Sequence, residues 1–244
     1  MPTSEPNEKR DDVVPGTHWE FNEEVTDAFD DMLRRSIPQY EVMRQSSFDV
    51  GCAFRTPSTD IVDLGCARGD AIVPFLDRYG ATNRFQLLER SQPMLEAAKE
   101  RFAGWISSGV VRVRDWDLRE GLPPCSASLV LSILTLQFTP IEKRPKILGS
   151  VAHSLIGGGA LVLVEKCIDA SPVVDDLWRT LYHEHKHLRG GYSYEQIDRK
   201  AASLEGVLVP ITMRANEQLL RGAGFQHVTT FWQWMSFVGW VAVR

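Results

Sequence analysis

The sequence has no apolar run approaching the roughly 18 residues that a membrane-spanning helix requires. It also lacks a basic surplus: 27 lysines and arginines stand against 32 aspartates and glutamates, for a net charge of -5. A broad cationic face for nucleic acid is therefore not expected, although a local basic pocket is compatible with that balance. Cysteine is scarce. Cys52, Cys66, Cys125 and Cys167 form no CxxC pair and have no zinc-ligand spacing, which excludes a disulfide framework and fits reduced thiols in a cytoplasmic protein. No metal site is expected. The opening stretch, MPTSEPNEKRDDVVPG, has no apolar segment of the kind a secretory signal needs. Residues 1–18 are expected to form a disordered polar leader, followed by one domain over residues 19–244. Internal repeats and low-complexity tracts are absent beyond that leader.

What is present is a regular alternation. A chain of 244 residues, 43% of them hydrophobic, can bury the core of one sizeable α/β domain. Val25, Phe29, Met32 and Leu33 in EEVTDAFDDMLRRSIPQY give one apolar helical face, stopped at Pro38, and a second short helix is expected before Pro57. Short apolar strands then alternate with helices. Ile61–Leu64 is strand one, RFQLLE strand two, GVVRVRD strand three, ASLVLSIL strand four and ALVLVEK strand five. Helices are expected over Ala71–Tyr79, over SQPMLEAAKERFAGW and over PIEKRPKILGSVAHSLI, the last stopped by Gly157, Gly158 and Gly159. This spacing implies βαβ units and a parallel sheet. After strand five, SPVVDDLWRTLYHEHKHL, SYEQIDRKAASLE and ANEQLLRGAGF read as three helices. HVTTFWQWMSFVGWVAV closes the chain as two strands at the sheet edge, rich in aromatic and β-branched residues. The expected fold is α/β: a doubly wound, mostly parallel seven-stranded sheet with N-terminal helices and a helical insertion after strand five.

The stretch DIVDLGCARGDAIVPFLDRYG, residues 60–80, is a buried strand, a glycine turn and a helix. Open parallel sheets bind ligands beyond the carboxyl ends of their strands, where strand order reverses. Gly65 and Gly69 flank Cys66, Ala67 and Arg68 at such a turn, and glycine lets backbone N–H groups approach a ligand. Glu89 ends strand two, 24 residues after Gly65, at the spacing of an acid that binds a ribose diol. The middle glycine of a G-x-G-x-x-G dinucleotide fingerprint is missing. Asp63 before the turn and Asp70 after it would repel a diphosphate. A ligand with an ammonium group and a ribose but no phosphate fits better, and S-adenosyl-L-methionine is such a ligand. Asp117, in RDWDLRE after strand three, can accept from an adenine amino group, with Leu118 covering the ring. Asp115 competes for the same role, and a solvated loop aspartate is the plain alternative.

From about Trp19 onward the chain resembles the carboxy-S-adenosylmethionine synthase family, class I methyltransferase-fold enzymes that serve tRNA wobble-uridine modification. MLRRSIPQY, DLGCARGDA, TLQF, GGALVLVEK, GYS, SLEGV and AGFQHV carry the resemblance. It implies a class I (Rossmann-like) fold, a homodimer, and synthesis of carboxy-S-adenosyl-L-methionine from S-adenosylmethionine and prephenate. It further implies cofactor contacts at Tyr40, at Gly65, Cys66 and Ala67, at Glu89 with Arg90, and at Asp117 with Leu118. Two positions depart from the family. Ile133 stands where it has an asparagine before TLQF, and Ala201 where it has an arginine for the added carboxylate. A guanidinium at a carboxylate site is not replaced by a neighbour on another helical face. Methyl transfer to a small-molecule acceptor is therefore the first expectation. The synthase itself and a non-catalytic S-adenosylmethionine-binding protein are the alternatives.

Methyl transfer asks for an aligned nucleophile and sometimes a base. His183 and His187 share a helical face at i, i+4, as a solvated face, as substrate contacts or base, or as metal ligands lacking a third partner. His183 matches a histidine of the resembled family and is the candidate base, with Tyr40 beside the cofactor. Arg35, next to Arg34, either binds an anionic substrate or flanks a helix end. Gln137 reads as a polar loop contact, and Trp232, Trp234 and Trp240 as core or dimer contacts.

Overall fold

The computed structural model describes residues 10–244. Ten helices and seven strands are found among them, joined in places by short 3-10 turns. Three helices open the chain: α1 (Glu23–Asp27), α2 (Phe29–Ser36) and α3 (Tyr40–Phe54). Then come β1 (Asp60–Leu64), α4 (Val73–Tyr79), β2 (Arg84–Glu89), α5 (Gln92–Arg101), α6 (Ala103–Ser107), β3 (Val111–Asp115), β4 (Ala127–Ile133), α7 (Arg144–Ser154) and β5 (Leu155–Lys166). The insertion is α8 (Pro172–Leu188) and α9 (Tyr194–Ser203), followed by α10 (Met213–Gly222), β6 (His227–Trp234) and β7 (Phe237–Val243).

The sheet order is β3-β2-β1-β4-β5-β7-β6, with β7 antiparallel to both neighbours and β1 to β5 parallel. Strand order therefore reverses between β1 and β4, where a doubly wound sheet opens a crevice. Alternate residues of the central strands feed two cores, as period-two side chains must. Ile61, Phe85, Leu87 and Leu131 pack with Phe75 and Leu76 of α4 and with Phe102. Val62, Leu64, Leu88 and Leu161 pack with Ile147 and Val151 of α7 and Leu220 of α10. Helix starts follow capping chemistry: Ser91 Oγ accepts from Met94 N, and Ser193 forms a reciprocal capping box with Gln196.

Four details differ from the sequence reading. Two expected helices are each broken in two, the first at Ala28 (φ -96°, ψ 6°) and SQPMLEAAKERFAGW at Phe102 (φ -100°, ψ 15°), where the backbone leaves helical geometry. The helix before Pro57 is 15 residues long, not short, because Met43, Ser47 and Gly51 form a buried face. Gly157, Gly158 and Gly159 lie inside β5. The strand starts at Leu155, paired to Ala127, and an irregularity before Leu129–Ala160 absorbs the glycines. The fourth difference is in the leader. Residues 1–9 of it lie outside the described residues, but Asp11 is 3% exposed. Its carboxylate accepts from the Tyr192 hydroxyl and faces Lys200 at 3.6 Å, so this part of the leader is fastened to the insertion. All four cysteines are free thiols, and no described helix is long and apolar enough to cross a membrane.

Candidate cofactor and acceptor site

The turn after β1 runs through three left-handed residues, Gly65 (φ 59°), Ala67 (φ 47°) and Gly69 (φ 82°). A Cβ on Gly65 would lie 2.3 Å from Thr135 Cγ2, and one on Gly69 would lie 2.3 Å from Phe102 Cε2. Both positions exclude a side chain twice over, by backbone handedness and by a packed neighbour. Cys66 N donates to Leu88 O at 3.0 Å, and Gly69 N to Cys66 O at 2.7 Å, which braces the turn against β2. The Cys66 thiol is buried, and burial pushes its pKa well up, so it is a packing group.

Two carboxyls frame this turn. Asp63, at the end of β1, is 2% exposed, and its Oδ2 has no hydrogen-bond partner. Burial pushes it up to about 8. Glu89, at the end of β2, is held on backbone donors: Oε2 accepts from Ala67 N at 2.8 Å, and Oε1 accepts from Arg90 N and Ser91 N, both at 2.8 Å. The carboxylate is thereby fixed against the turn while keeping lone pairs for further donors. Asp117 caps the 3-10 turn of residues 118–120 by accepting from Arg119 N at 3.0 Å. Arg119, then Arg90, hold it down to about 2. Arg90 thus contributes its backbone N–H to Glu89 and its guanidinium to Asp117. Leu118 is half-buried against the α7-side core, and Asp115 is exposed.

Beside the turn lies a cleft of about 900 Å³ between α2, α3 and α4. Tyr40 and Ile133 line it, as do Arg68, Asp70 and Ala71, which carry the turn into it. Tyr40 is buried, and burial raises its hydroxyl to about 12. Arg68 pairs with Asp30 of α2 at 3.5 Å, Arg101 with Asp70 at 2.5 Å, and Arg34 with Glu41. Burial, and then Asp70 beside it, push Asp30 up to about 6. The sequence reading missed Asp30, Arg44 and Arg101. The i, i+4 spacing of Tyr40 and Arg44 on one helical face was an available signal for Arg44. Asp30 had no local signal, because its partner Arg68 is far along the chain.

Several expected residues are placed elsewhere. Arg35 is not free to meet a substrate. Its Nε donates to Gly190 O at 2.6 Å, its Nη1 to Asp11 O and to Asp31 Oδ2 at 3.0 Å each, and its plane covers the Tyr192 ring at 4.1 Å. That guanidinium is a structural clasp. His183 is half-buried on α8 beside the Tyr182 ring and does not line the cleft; burial, then Lys186, push it down. His187 Nδ1 donates to Tyr192 O at 2.8 Å, and its ring stacks on Tyr194 at 4.3 Å, so that histidine is used in packing. Gln137 is buried and accepts from Lys166 N at 2.7 Å. Ala201 is exposed on α9 and outside the cleft, whereas Lys200 points inward to Asp11 and the Trp19 ring. Trp232 and Trp240 are core residues.

Comparison with known proteins identifies the family and the fold. Residues 61–159 match the methyltransferase domain family. The carboxy-S-adenosyl-L-methionine synthase of Methylococcus capsulatus is 36% identical over 225 residues, 92% of this chain and 93% of that protein. The synthase of Idiomarina loihiensis is 31% identical over 226 residues, 92% of each chain. Among solved structures, human N-acetylserotonin methyltransferase in complex with S-adenosylmethionine superposes with a TM-score of 0.59 at 15% identity, over 91% of this chain and 55% of that one, and so shares the fold. The chain is an S-adenosylmethionine-dependent transferase of the class I fold, and it belongs to the carboxy-S-adenosyl-L-methionine synthase family.

Proposed function

We propose that this enzyme transfers the methyl group of S-adenosylmethionine to a small-molecule acceptor held in the cleft. The carrying observation is that the glycine turn, barred to side chains at Gly65 and Gly69, runs directly into that cleft through Arg68, Asp70 and Ala71. The residues present fit the cofactor. Asp63 offers an orphaned buried carboxyl for a cationic ligand, and Glu89 offers a fixed carboxylate for two ribose hydroxyls. Bound S-adenosylmethionine supplies an electrophilic methyl group on a sulfonium. Along the order β3-β2-β1-β4, Asp117 and Leu118 would take adenine, Glu89 ribose, the turn the sulfonium, and Tyr40 with Ile133 the far end. Adjacent strand ends are about 4.8 Å apart, so Glu89 and Ile133 bracket about 10 Å, the scale of a nucleoside with its side chain.

Ile133 and the outward-facing Ala201 favour the unmodified cofactor, since neither supplies a donor for an added carboxylate. Asp30, raised to about 6, is the cleft carboxyl poised near neutrality and takes the base role expected of His183. The cleft carries acids at Asp30, Glu41 and Asp70, which disfavours a phosphate-bearing polymer and supports a small-molecule acceptor. Exposed Val173 and Leu177, four residues apart on α8, support a homodimer, and the free cysteines support a cytoplasmic enzyme.

A second reading, the synthase reaction with prephenate, is favoured by 36% identity, over 92% of the chain, to a protein of that name. Mass spectrometry separates the two. Purified protein is incubated with S-adenosylmethionine, with and without prephenate, and the nucleotide is released by denaturation. Unmodified or demethylated nucleotide under both conditions supports methyl transfer. A carboxylated S-adenosylmethionine mass that depends on prephenate overturns it in favour of the synthase.

A further inference from the structure

Four arginines line the cleft, and three of them are committed. Arg34, Arg68 and Arg101 each hold a carboxylate that also lines it: Glu41, Asp30 and Asp70 respectively. Arg44 is the fourth. It is half-buried, and among the described residues its side chain forms no ion pair and no hydrogen bond; its guanidinium stands over the Tyr40 ring at 5.9 Å, and its charge acts on Asp63 and Asp70 from beyond pairing distance. A partly desolvated guanidinium with five donors and no acceptor is a standing site for a planar anion.

Its position says which anion. Arg44 lies one turn beyond Tyr40 on α3, and Tyr40 and Ile133 mark the β4 end of the ligand track. Glu89 marks the β2 end. A nucleoside with its ribose on Glu89 directs its sulfonium side chain across the turn toward α3. The end group of that chain is an amino acid, which brings an ammonium and a carboxylate together. Asp63, orphaned at Oδ2, is a buried carboxyl that keeps its proton in the ligand-free protein and that an incoming ammonium would ionise, and Arg44 is the charge that most strongly offsets its burial. A zwitterion suits such a pair of opposite charges.

We propose that Arg44 binds the carboxylate of the amino-acid end of S-adenosylmethionine and so selects the complete cofactor over truncated nucleosides. This rests on the cofactor reading of the glycine turn, and not on which transfer reaction follows. The test is titration calorimetry of the whole protein with S-adenosylmethionine and with 5'-methylthioadenosine, which has the ribose and adenine but no amino-acid end. Arg44→Met keeps the apolar stem of the side chain, and Arg44→Lys keeps the charge without the planar fork. Arg44→Met is expected to weaken S-adenosylmethionine by about tenfold or more and to leave methylthioadenosine within about twofold, with Arg44→Lys between the two. Retained methylthioadenosine binding also shows that the variants are folded. S-adenosylmethionine affinity unchanged in Arg44→Met overturns the inference and moves Arg44 to the acceptor. Equal loss of both ligands also overturns it, as a general effect on the turn. Wild-type protein that binds neither ligand overturns the cofactor site itself.

Discussion

Arg68, inside the glycine turn, reaches back to Asp30 on α2, with Nη1 3.5 Å from Oδ2 and the two side chains only 13% and 12% exposed. The same guanidinium points Nη1 at Thr26 O at 3.4 Å. The turn and the N-terminal helices that wall the cleft are therefore joined through one side chain. Asp30→Ala would leave Arg68 buried beside one carbonyl. Leaving a largely buried charged donor without its partner costs about 1–3 kcal/mol, and that much stability should be missing in urea unfolding. Asp30→Asn should keep most of the stability but lose the acid limb of the pH–rate profile near pH 6, the pKa its burial gives it. A rate that stays flat through that range in wild type would remove Asp30 from the base role.

Gly65→Ala is expected to damage the site more than a surface substitution could. The new methyl group would stand 2.3 Å from Thr135 Cγ2 on a residue with φ of 59°. A left-handed non-glycine residue costs about 1–2 kcal/mol before any clash. Adding Thr135→Ala should recover the steric part and leave the backbone part. Cofactor affinity measured for the single and double variants gives the two contributions separately.

Glu89→Ala should weaken S-adenosylmethionine by about 1–3 kcal/mol, through unpaired ribose hydroxyls and loss of the brace on Ala67 N. Methylthioadenosine should weaken by the same amount, since it carries the same ribose. Calorimetric affinities that do not change would place the ribose elsewhere.

Asp63 gives a pH prediction. Its ordinary pKa is 3.8, and burial in the folded state lifts it to about 8. Between those values the folded protein keeps a proton that the unfolded chain releases. The stability this provides is fully present below about 4 and is lost as pH rises through about 8. Thermal midpoints should therefore fall from pH 5 toward pH 8 in the ligand-free protein, and Asp63→Asn should flatten that slope. A slope of equal size in Asp63→Asn would assign it to other groups, of which Glu165, also lifted to about 8, is the first to examine by Glu165→Gln.

Much of this architecture was legible because its signals are local. Ile61, Val62 and Leu64 are apolar because β1 is buried on both faces, Asp63 is the one charged residue among them, and Gly80 stops α4 with a φ of 50°. Glu89 was legible from spacing, since strand two has to end where its acid can face the turn. Three things were not legible. Gly157–Gly159 read as a helix stop, because periodicity cannot show that Leu155 pairs with Ala127. Arg35 read as a candidate for substrate because its partners, Asp11 and Gly190, are brought to it only by the fold. The inward side of α9 was misjudged by one residue: Lys200, not Ala201, faces the interior.

The most direct test of the site is a crystal structure of the protein with S-adenosylhomocysteine. The predicted complex has the ribose diol on Glu89, adenine against Leu118, and the amino-acid end beside Tyr40, leaving the remaining cleft for the acceptor. A nucleotide seated away from Glu89, or running with its adenine toward Tyr40, would contradict this account of the cleft.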